Sequence, residues 1–407
     1  MRRELFLDTS IPHSDEKILF VEDNPILLEL YGILLEREHD QWHTALSPDG
    51  ESALKLLKDA PFDVVVSDME MPGMSGIELL THVRQLQPQT ARIIISGYAD
   101  QAVAADSLNC THLFIPKPFD VKVLRATLAR ISSLDRYLKD DKLRNLVGKL
   151  RSLPSFPTLY LDIMREIESP HSSIQGIASI VARDPGITAK VLQVANSAAV
   201  GMPARVSDPA EAVQQLGLTT VRSIVLSAQV YGHYAPGRVK HFSAEALWAH
   251  LMKCGDLART LLRRERAPVA EAEDAFTAGL LHDLGKLMLA DSLPDEFAAA
   301  MTLAKNENIS HAEAEQVVFG ANHAGLAAYL LGLWGLPAAI VEAVAFHHTP
   351  EKSGLKKCSA LTAVHVANAL ATNSETVPLN QAYLADLGLA GRLEEWQDTA
   401  AELAAIA

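Results

Sequence analysis

Between residues 17 and 115, five short apolar runs alternate with helical stretches. The runs are KILFV (17–21), WHTAL (42–46), DVVVS (63–67), RIIIS (92–96) and THLFI (111–115), and the segments 25–37, 50–58 and 76–87 between them repeat their apolar residues at helical spacing. Strands alternating with helices predict a doubly wound, five-stranded parallel sheet of the flavodoxin-like α/β class. Runs such as VVV and III lack the polar alternation of a one-sided sheet, so helices should cover both faces.

After Pro118 the pattern changes. Leu124, Leu128, Ile131, Leu134 and Leu138 recur at three or four residues, and Leu143, Leu146, Val147 and Leu150 continue with a shifted phase. This predicts one long linking helix over 120–153, or two helices with a break near 140–141. Beyond it, only helical segments are evident, separated by turn signals such as DPG (184–186), GLP (335–337) and HTP (348–350). The 407 residues thus divide into an α/β domain at 15–133, a helical linker at 134–152 and an all-α domain at 153–407, in which 383–396 and the Ala-rich tail read as an amphipathic closing helix. A linker stripe of this kind could pair two copies of the chain, as could the α/β domain.

Composition removes several classes of function. The hydrophobic share of 48% and charged share of 21% are those of a folded globular chain. No apolar stretch approaches the ~20 residues of a membrane helix, and no secretory signal opens the chain. Cys110, Cys254 and Cys358 are far apart with no CxxC pair, which fits a reducing cytoplasm. A formal net charge of −14 argues against a general binder of DNA or anionic membranes. The basic cluster Arg259, Arg263, Arg264 and Arg266 is expected to be a solvated helix end.

Sites in open parallel sheets form beyond the carboxyl ends of the strands. Glu22 and Asp23 follow the first strand, Asp68 closes the third, Ser96 the fourth, and Lys117 follows the fifth. Carboxylates crowded on one rim repel by ~4 kcal/mol per pair at ~4 Å and an effective dielectric of ~20. A hard cation such as Mg²⁺, with oxygen ligands, relieves that repulsion, and an ammonium group helps. Such a site suits in-line phosphoryl transfer to a carboxylate.

These residues carry a family resemblance. FVEDN (20–24), VVSDMEMPGMSGIELL (65–80), IIISGYAD (93–100) and FIPKPF (114–119) resemble the receiver domain of two-component response regulators. The resemblance implies that Asp68 is the phosphoacceptor and that Asp23, Asp68 and the backbone carbonyl of Glu70 bind Mg²⁺, with Glu22 acting through water. It implies that Lys117 contacts the phosphoryl group, that Ser96 is the hydroxyl switch, and that Phe114 is the aromatic reporting the state. It also implies a histidine kinase or phosphotransfer protein as partner.

The all-α part carries AGLLHDLGKL (278–287), and His250, His323 and the pair His347–His348 could join His282 and Asp283 around a metal. Imidazole with carboxylate suits Zn, Mn, Fe or Ni, and a metal-bound water could attack a phosphodiester. The bland alternative has each histidine satisfied by a backbone carbonyl, with His250 packed beside Trp248. LPSFPTLYLDIM (153–164), VARDPGITAKVLQVANSA (181–198), AVQQLGLTTVRSIVL (212–226), LLHDLGK (280–286), FGANHAGLAAYLLGLWGLP (319–337) and AFHH (345–348) resemble the HDOD domain, a relative of the HD phosphohydrolases. The resemblance has two departures from catalytic HD enzymes: no Gly-Tyr-Pro follows His348, and Asn368 stands where they supply a final aspartate. The leading expectation is therefore a signalling output that binds a protein or nucleotide without catalysis. A metal-dependent phosphohydrolase acting on a nucleotide or cyclic dinucleotide is the alternative, and a transcription factor is disfavoured. Asp184–Pro185 is expected to cap a helix, and Asn196–Ser197 to close one.

Overall fold

The computed structural model describes residues 16–36, 42–96, 110–117, 119, 122, 124–125, 127–129, 141–150, 157–196, 206–232, 239, 242–372 and 377–406. They fall into two compact units, 1–156 with 329–338 and 157–328 with 339–407.

The first unit contains β1 (Glu16–Val21), α1 (Pro25–Glu36), β2 (Trp42–Ser47), α2 (Gly50–Asp59), β3 (Val64–Asp68), α3 (Gly76–Leu86), β4 (Ala91–Ser96), β5 (Leu113–Pro116) and α4 (Asp141–Lys149). The five strands are parallel in the order β2-β1-β3-β4-β5, which is the expected doubly wound sheet. Every residue of β3 is buried, as its unbroken apolar run requires. The edge strand β2, with its mixed WHTALS sequence, is largely half-exposed. Leu19, Val21, Val65 and Ile94 pack against Leu57, Leu79 and Val83 from α2 and α3. The strand order reverses between β1 and β3, so the loops after those two strands diverge and leave a crevice. Asn24 accepts from Ile26 and Leu27 N–H at the start of α1, with Pro25 at the first helical position, and this cap turns the chain directly after Glu22 and Asp23.

α4 is described from Asp141 onward; residues 130–140, on which the choice between one long helix and two depends, lie outside the described residues. So does segment 97–109, which follows β4.

The remaining described residues form helices without strands: α5 (Thr158–Glu168), α6 (Ile174–Val181), α7 (Pro185–Ala195), α8 (Pro209–Gly232), α9 (Ala244–Arg264), α10 (Val269–Leu281), α11 (Leu284–Ser292), α12 (Pro294–Glu307), α13 (His311–Phe319), α14 (His323–Leu333), α15 (Ala338–Phe346), α16 (Ala360–Ala371), α17 (Gln381–Asp386) and α18 (Leu393–Ile406). The centre of the second unit is α9, which packs along α10, α16 and α18. Asp184 caps α7 by accepting from Gly186 and Ile187 N–H. Asn196 closes the same helix, its amide spanning to both backbone groups of Val206.

Two expectations need correction. Arg259 is not solvated: it is 5% exposed, paired with Asp256 at 2.6 Å, and its guanidinium lies over the Phe276 ring. Only Arg263, Arg264 and Arg266 are exposed. The closing amphipathic stretch is two helices, because Gly388 adopts a left-handed φ of 71° after α17. On α18, Trp396 donates its indole N–H to Glu265, and Arg264 of α9 reaches Thr399 and Glu402.

Candidate functional site

The first cluster sits at the crevice over β1 and β3. Lys117, just beyond β5, places Nζ 2.9 Å from Asp68 Oδ1 and 3.3 Å from Glu22 Oε2. Asp68 Oδ1 also accepts from the Met69 N–H at 2.9 Å, which fixes the carboxylate against its own strand end. Ligand oxygens of Glu22, Asp23 and Asp68 all lie within 4.8 Å of one another. Glu22 and Asp68 are buried while Asp23 is exposed, so the cluster opens to water on one side. Burial, followed by the charge of Asp68, raises the Glu22 carboxyl above its ordinary value. Burial alone would lower the Lys117 ammonium, but its hydrogen bond to Asp68 and the charges of Asp68 and Glu22 outweigh that and raise it. Oxygen donors with excess negative charge fit a hard divalent cation. At the edge of the cluster Tyr31, stacked on Phe119 with ring centroids 6.4 Å apart, has its phenol pushed up by burial and then by Glu22 and Asp68.

Glu70 lies exposed in the loop after β3. Ser96 closes β4 and Phe114 lies on β5, but their side chains lie outside the described residues.

The second cluster is larger and more deeply buried. His282 is the residue after α10 and Asp283 the residue before α11, so the pair sits at a junction between helices and not within one. Asp283 takes φ −102°, ψ 9° there, which redirects its carboxylate. Only glycine fits at position 285: a Cβ would stand 2.1 Å from the His323 carbonyl oxygen. That close approach brings the start of α14 onto the start of α11.

The Asp283 carboxylate presents its two oxygens to different neighbours. Oδ1 lies 3.0 Å from His323 Nε2 and 3.8 Å from His347 Nε2. Oδ2 lies 3.6 Å from His282 Nε2 and 3.9 Å from His250 Nε2, with Lys286 Nζ at 2.6 Å. His348 Nε2 comes within 3.0 Å of His323 Nε2. The sequence thus named six side chains that the fold brings together: His250, His282, Asp283, His323, His347 and His348. The bland alternative of His250 packed beside Trp248 does not hold, because Trp248 turns to Tyr231 and Lys190 while His250 faces His282.

The far nitrogen of three rings is already engaged. His282 Nδ1 bonds the Gly279 carbonyl at 2.8 Å, His347 Nδ1 the Val344 carbonyl at 2.8 Å, and His323 Nδ1 the Glu315 carboxylate at 2.6 Å. Carbonyl oxygens only accept, so Nδ1 of His282 and His347 carries the proton and Nε2 is left with its lone pair. Among the described residues, both of those Nε2 atoms are buried without a hydrogen-bond partner. Buried acceptors of that kind cost ~1–3 kcal/mol each unless something takes the lone pair. Burial lowers the His282 imidazole to about 4 and holds His347 and His348 well below the ordinary histidine value, which keeps them neutral. These residues therefore fit a transition metal, whose imidazole ligands are oriented by such far-side hydrogen bonds.

Sequence reasoning missed four participants. Lys286, which follows the HD pair in sequence, pairs with Asp283 at 2.6 Å. Glu315 is fully buried and binds both the ring and the backbone N–H of His323; it lies on α13, and nothing local in the sequence links it to His323. Cys254 lies 3.4 Å from His250 Nε2, a contact that the four-residue spacing on one helix could have suggested. Tyr31 lies in the helical run 25–37, where its apolar spacing gives no sign of a neighbouring carboxylate site. Asn368 is buried on α16 beside His250.

Comparisons with known proteins find two domains along the chain. A model of the response regulator receiver domain matches residues 18–129, and one of the HDOD domain matches residues 153–350. An uncharacterized protein of Treponema pallidum is 26% identical over 209 residues, covering 50% of this chain and 39% of that protein. The response regulator protein PilR of Pseudomonas aeruginosa is 32% identical over 153 residues, 34% of each chain. The chain therefore spans less than half the length of these curated relatives. Among solved structures, an HDOD domain protein of unknown function from Geobacter sulfurreducens aligns with a TM-score of 0.51 and 22% identity, covering 66% of this chain and 99% of that one; this likeness shows the fold. No described helix is long and apolar enough to cross a membrane.

Proposed function

Because this chain is a response regulator that joins a receiver domain to an HDOD, HD-related output domain, we propose that Asp68 accepts a phosphoryl group from a histidine kinase or phosphotransfer protein and thereby switches the HDOD half. The observation that carries this reading is the 2.9 Å contact of Lys117 with Asp68 beside Glu22 and Asp23. Asp23 and Asp68, with the loop carbonyl of Glu70, are the groups that would hold Mg²⁺ directly, and Glu22 would act through water. When bound, that ion supplies neutralisation of phosphoryl charge. Asp68 Oδ1 is oriented by Met69 N–H, and Lys117 stands ready to follow the added charge of roughly −1.5 to −2. Ser96 and Phe114 then report the change to the face of β5.

In the HDOD half, Asp283, His323, His347 and His348 hold a transition metal, and the domain acts as a binding module for a protein or nucleotide partner. Asn368 supports binding without hydrolysis, since an amide adds no charge to the centre. A second reading, metal-dependent hydrolysis of a nucleotide or cyclic dinucleotide, is favoured by one observation. Lys286, His250 and His348 are only half-buried, so they border an otherwise enclosed centre where phosphate could approach.

The test of the switch is a small-molecule phosphodonor with Mg²⁺ and intact-mass analysis of the full chain. The wild type gains one phosphoryl mass and Asp68→Asn gains none; no gain in either, or a gain in both, overturns the reading. Hydrolysis assays on cyclic dinucleotides, with His282→Ala and Asp283→Ala as controls, decide between binding module and enzyme. Turnover that depends on metal and vanishes in both variants selects the enzyme.

A further inference from the structure

We propose that His250, Cys254 and His282 form a second metal subsite, in which the Cys254 sulfur binds a borderline-soft divalent cation such as Zn²⁺ as a thiolate. The inference rests on the metal-holding reading of the histidine centre and deepens it. His250 and Cys254 stand four residues apart on α9, one turn along the same face. Cys254 Sγ lies 3.4 Å from His250 Nε2, and the ligand atoms of His250, Cys254 and His282 all fall within 4.8 Å of one another.

The third member is delivered by a helix crossing. Gly255 of α9 and Gly279 of α10 touch so closely that a Cβ on Gly279 would stand 2.6 Å from the Gly255 Cα. This contact carries His282, three residues beyond Gly279, against the face that holds His250 and Cys254, with the two imidazole centroids 5.4 Å apart. His282 is fully buried, and among the described residues its Nε2 has no hydrogen-bond partner. A tetrahedral ion with bonds of roughly 2.0–2.3 Å separates neighbouring donors by roughly 3.3–3.6 Å. The 3.4 Å between sulfur and His250 Nε2 already matches that spacing. Asp283 Oδ2, 3.6 Å from His282 Nε2 and 3.9 Å from His250 Nε2, stands in the direction of a fourth ligand.

Charge explains why sulfur belongs there. Asn368, buried beside His250, contributes an amide and no negative charge. Two neutral imidazoles, an amide and a carboxylate already shared with Lys286 and His323 hold a dication poorly, and a thiolate supplies a second anion. The thiol proton leaves to solvent as the sulfur–metal bond forms. Thiolate with imidazole selects zinc or another borderline-soft ion over magnesium or calcium. The group on the other side of Asp283 offers only nitrogen and oxygen, so the two subsites differ in the metals they prefer. The competing structural role for Cys254 is a small buried apolar residue whose S–H points at His250.

Cobalt substitution of the full chain separates these roles. The Co²⁺-loaded wild type is expected to show a thiolate-to-cobalt charge-transfer band in the near ultraviolet. Cys254→Ser loses the band, while the Cys110→Ser/Cys358→Ser chain keeps it. Cys254→Ala retains one equivalent of cobalt fewer than wild type, with unchanged circular dichroism. Cobalt bound with visible ligand-field bands but no charge-transfer band overturns the thiolate subsite and leaves the metal-holding reading intact. Survival of the band in Cys254→Ser overturns the subsite in the same way. A wild type that retains no cobalt overturns both. Because the decisive spectrum is that of the wild type, a misfolded variant does not obscure the result.

Discussion

Lys117 and Asp68 form an ion pair of 2.9 Å in which the lysine side chain is 29% exposed and the aspartate 11%. The ammonium also faces Glu22 at 3.3 Å, so one cation holds two carboxylates that would otherwise repel. Lys117→Met should therefore destabilise the receiver half by ~1–3 kcal/mol. Mg²⁺ should restore part of that loss, because it neutralises the same oxygens. Urea unfolding of the variant with and without Mg²⁺ measures both effects. A variant as stable as wild type in both buffers means the pair contributes nothing.

Glu315 acts on the histidine centre through His323. Its carboxylate accepts from the ring at 2.6 Å and from the backbone at 2.7 Å. Glu315→Gln keeps the shape but loses the charge that raises the basicity of the ring. Metal affinity should fall about 10–100-fold, read by chelator competition on the full chain. Unchanged affinity would show that His323 is not a ligand.

Glu342 on α15 is buried, and among the described residues its Oε1 has no hydrogen-bond partner. Burial pushes its carboxyl up to about 7. The folded state therefore holds the proton more tightly than the unfolded chain. The contribution is fully present below the unfolded value near 4.5 and is lost as pH rises through about 7. Glu342→Gln, which mimics the protonated form, should be more stable than wild type by about 2–3 kcal/mol at pH 8. Near pH 4 the difference should vanish. Thermal unfolding across that range checks the sign; a variant that loses stability at alkaline pH would contradict it.

The Gly255–Gly279 crossing predicts a coupled defect. Gly279→Ala puts a methyl 2.6 Å from the Gly255 Cα, and separating the helices should cost ~1–3 kcal/mol. The displacement should also carry His282 away from α9, so metal retention drops with stability. Ala278→Gly, one residue away, weakens the same helix without adding a methyl at the crossing and should spare the metal in the folded fraction. Equal metal loss per folded molecule in both would argue against the crossing as the cause.

Much of this molecule can be seen in its sequence. The sheet is legible because VVV and III runs admit only a doubly covered strand, and the acids at its rim because strand ends collect in one place. The six histidine-centre residues are named by motif, yet their arrangement is not. Asp283 turns between two helices because of a backbone bend that HDLGK does not advertise. Glu315 reaches His323 across a helix boundary, and Arg259 is buried by Phe276 and Asp256, which no charge count foresees. Long-range partners of polar groups were the part that local pattern could not supply.

The last helix, α18, grips α9 through Trp396, Thr399 and Glu402. The same α9 carries His250 and Cys254 about three to four turns upstream of the grip. Residues 393–406 thus work as a tensioning strap on the rod that bears two of the metal donors. A tag, a cut or a docked protein at this strap should be felt as a change in cation retention, far from any ligand atom.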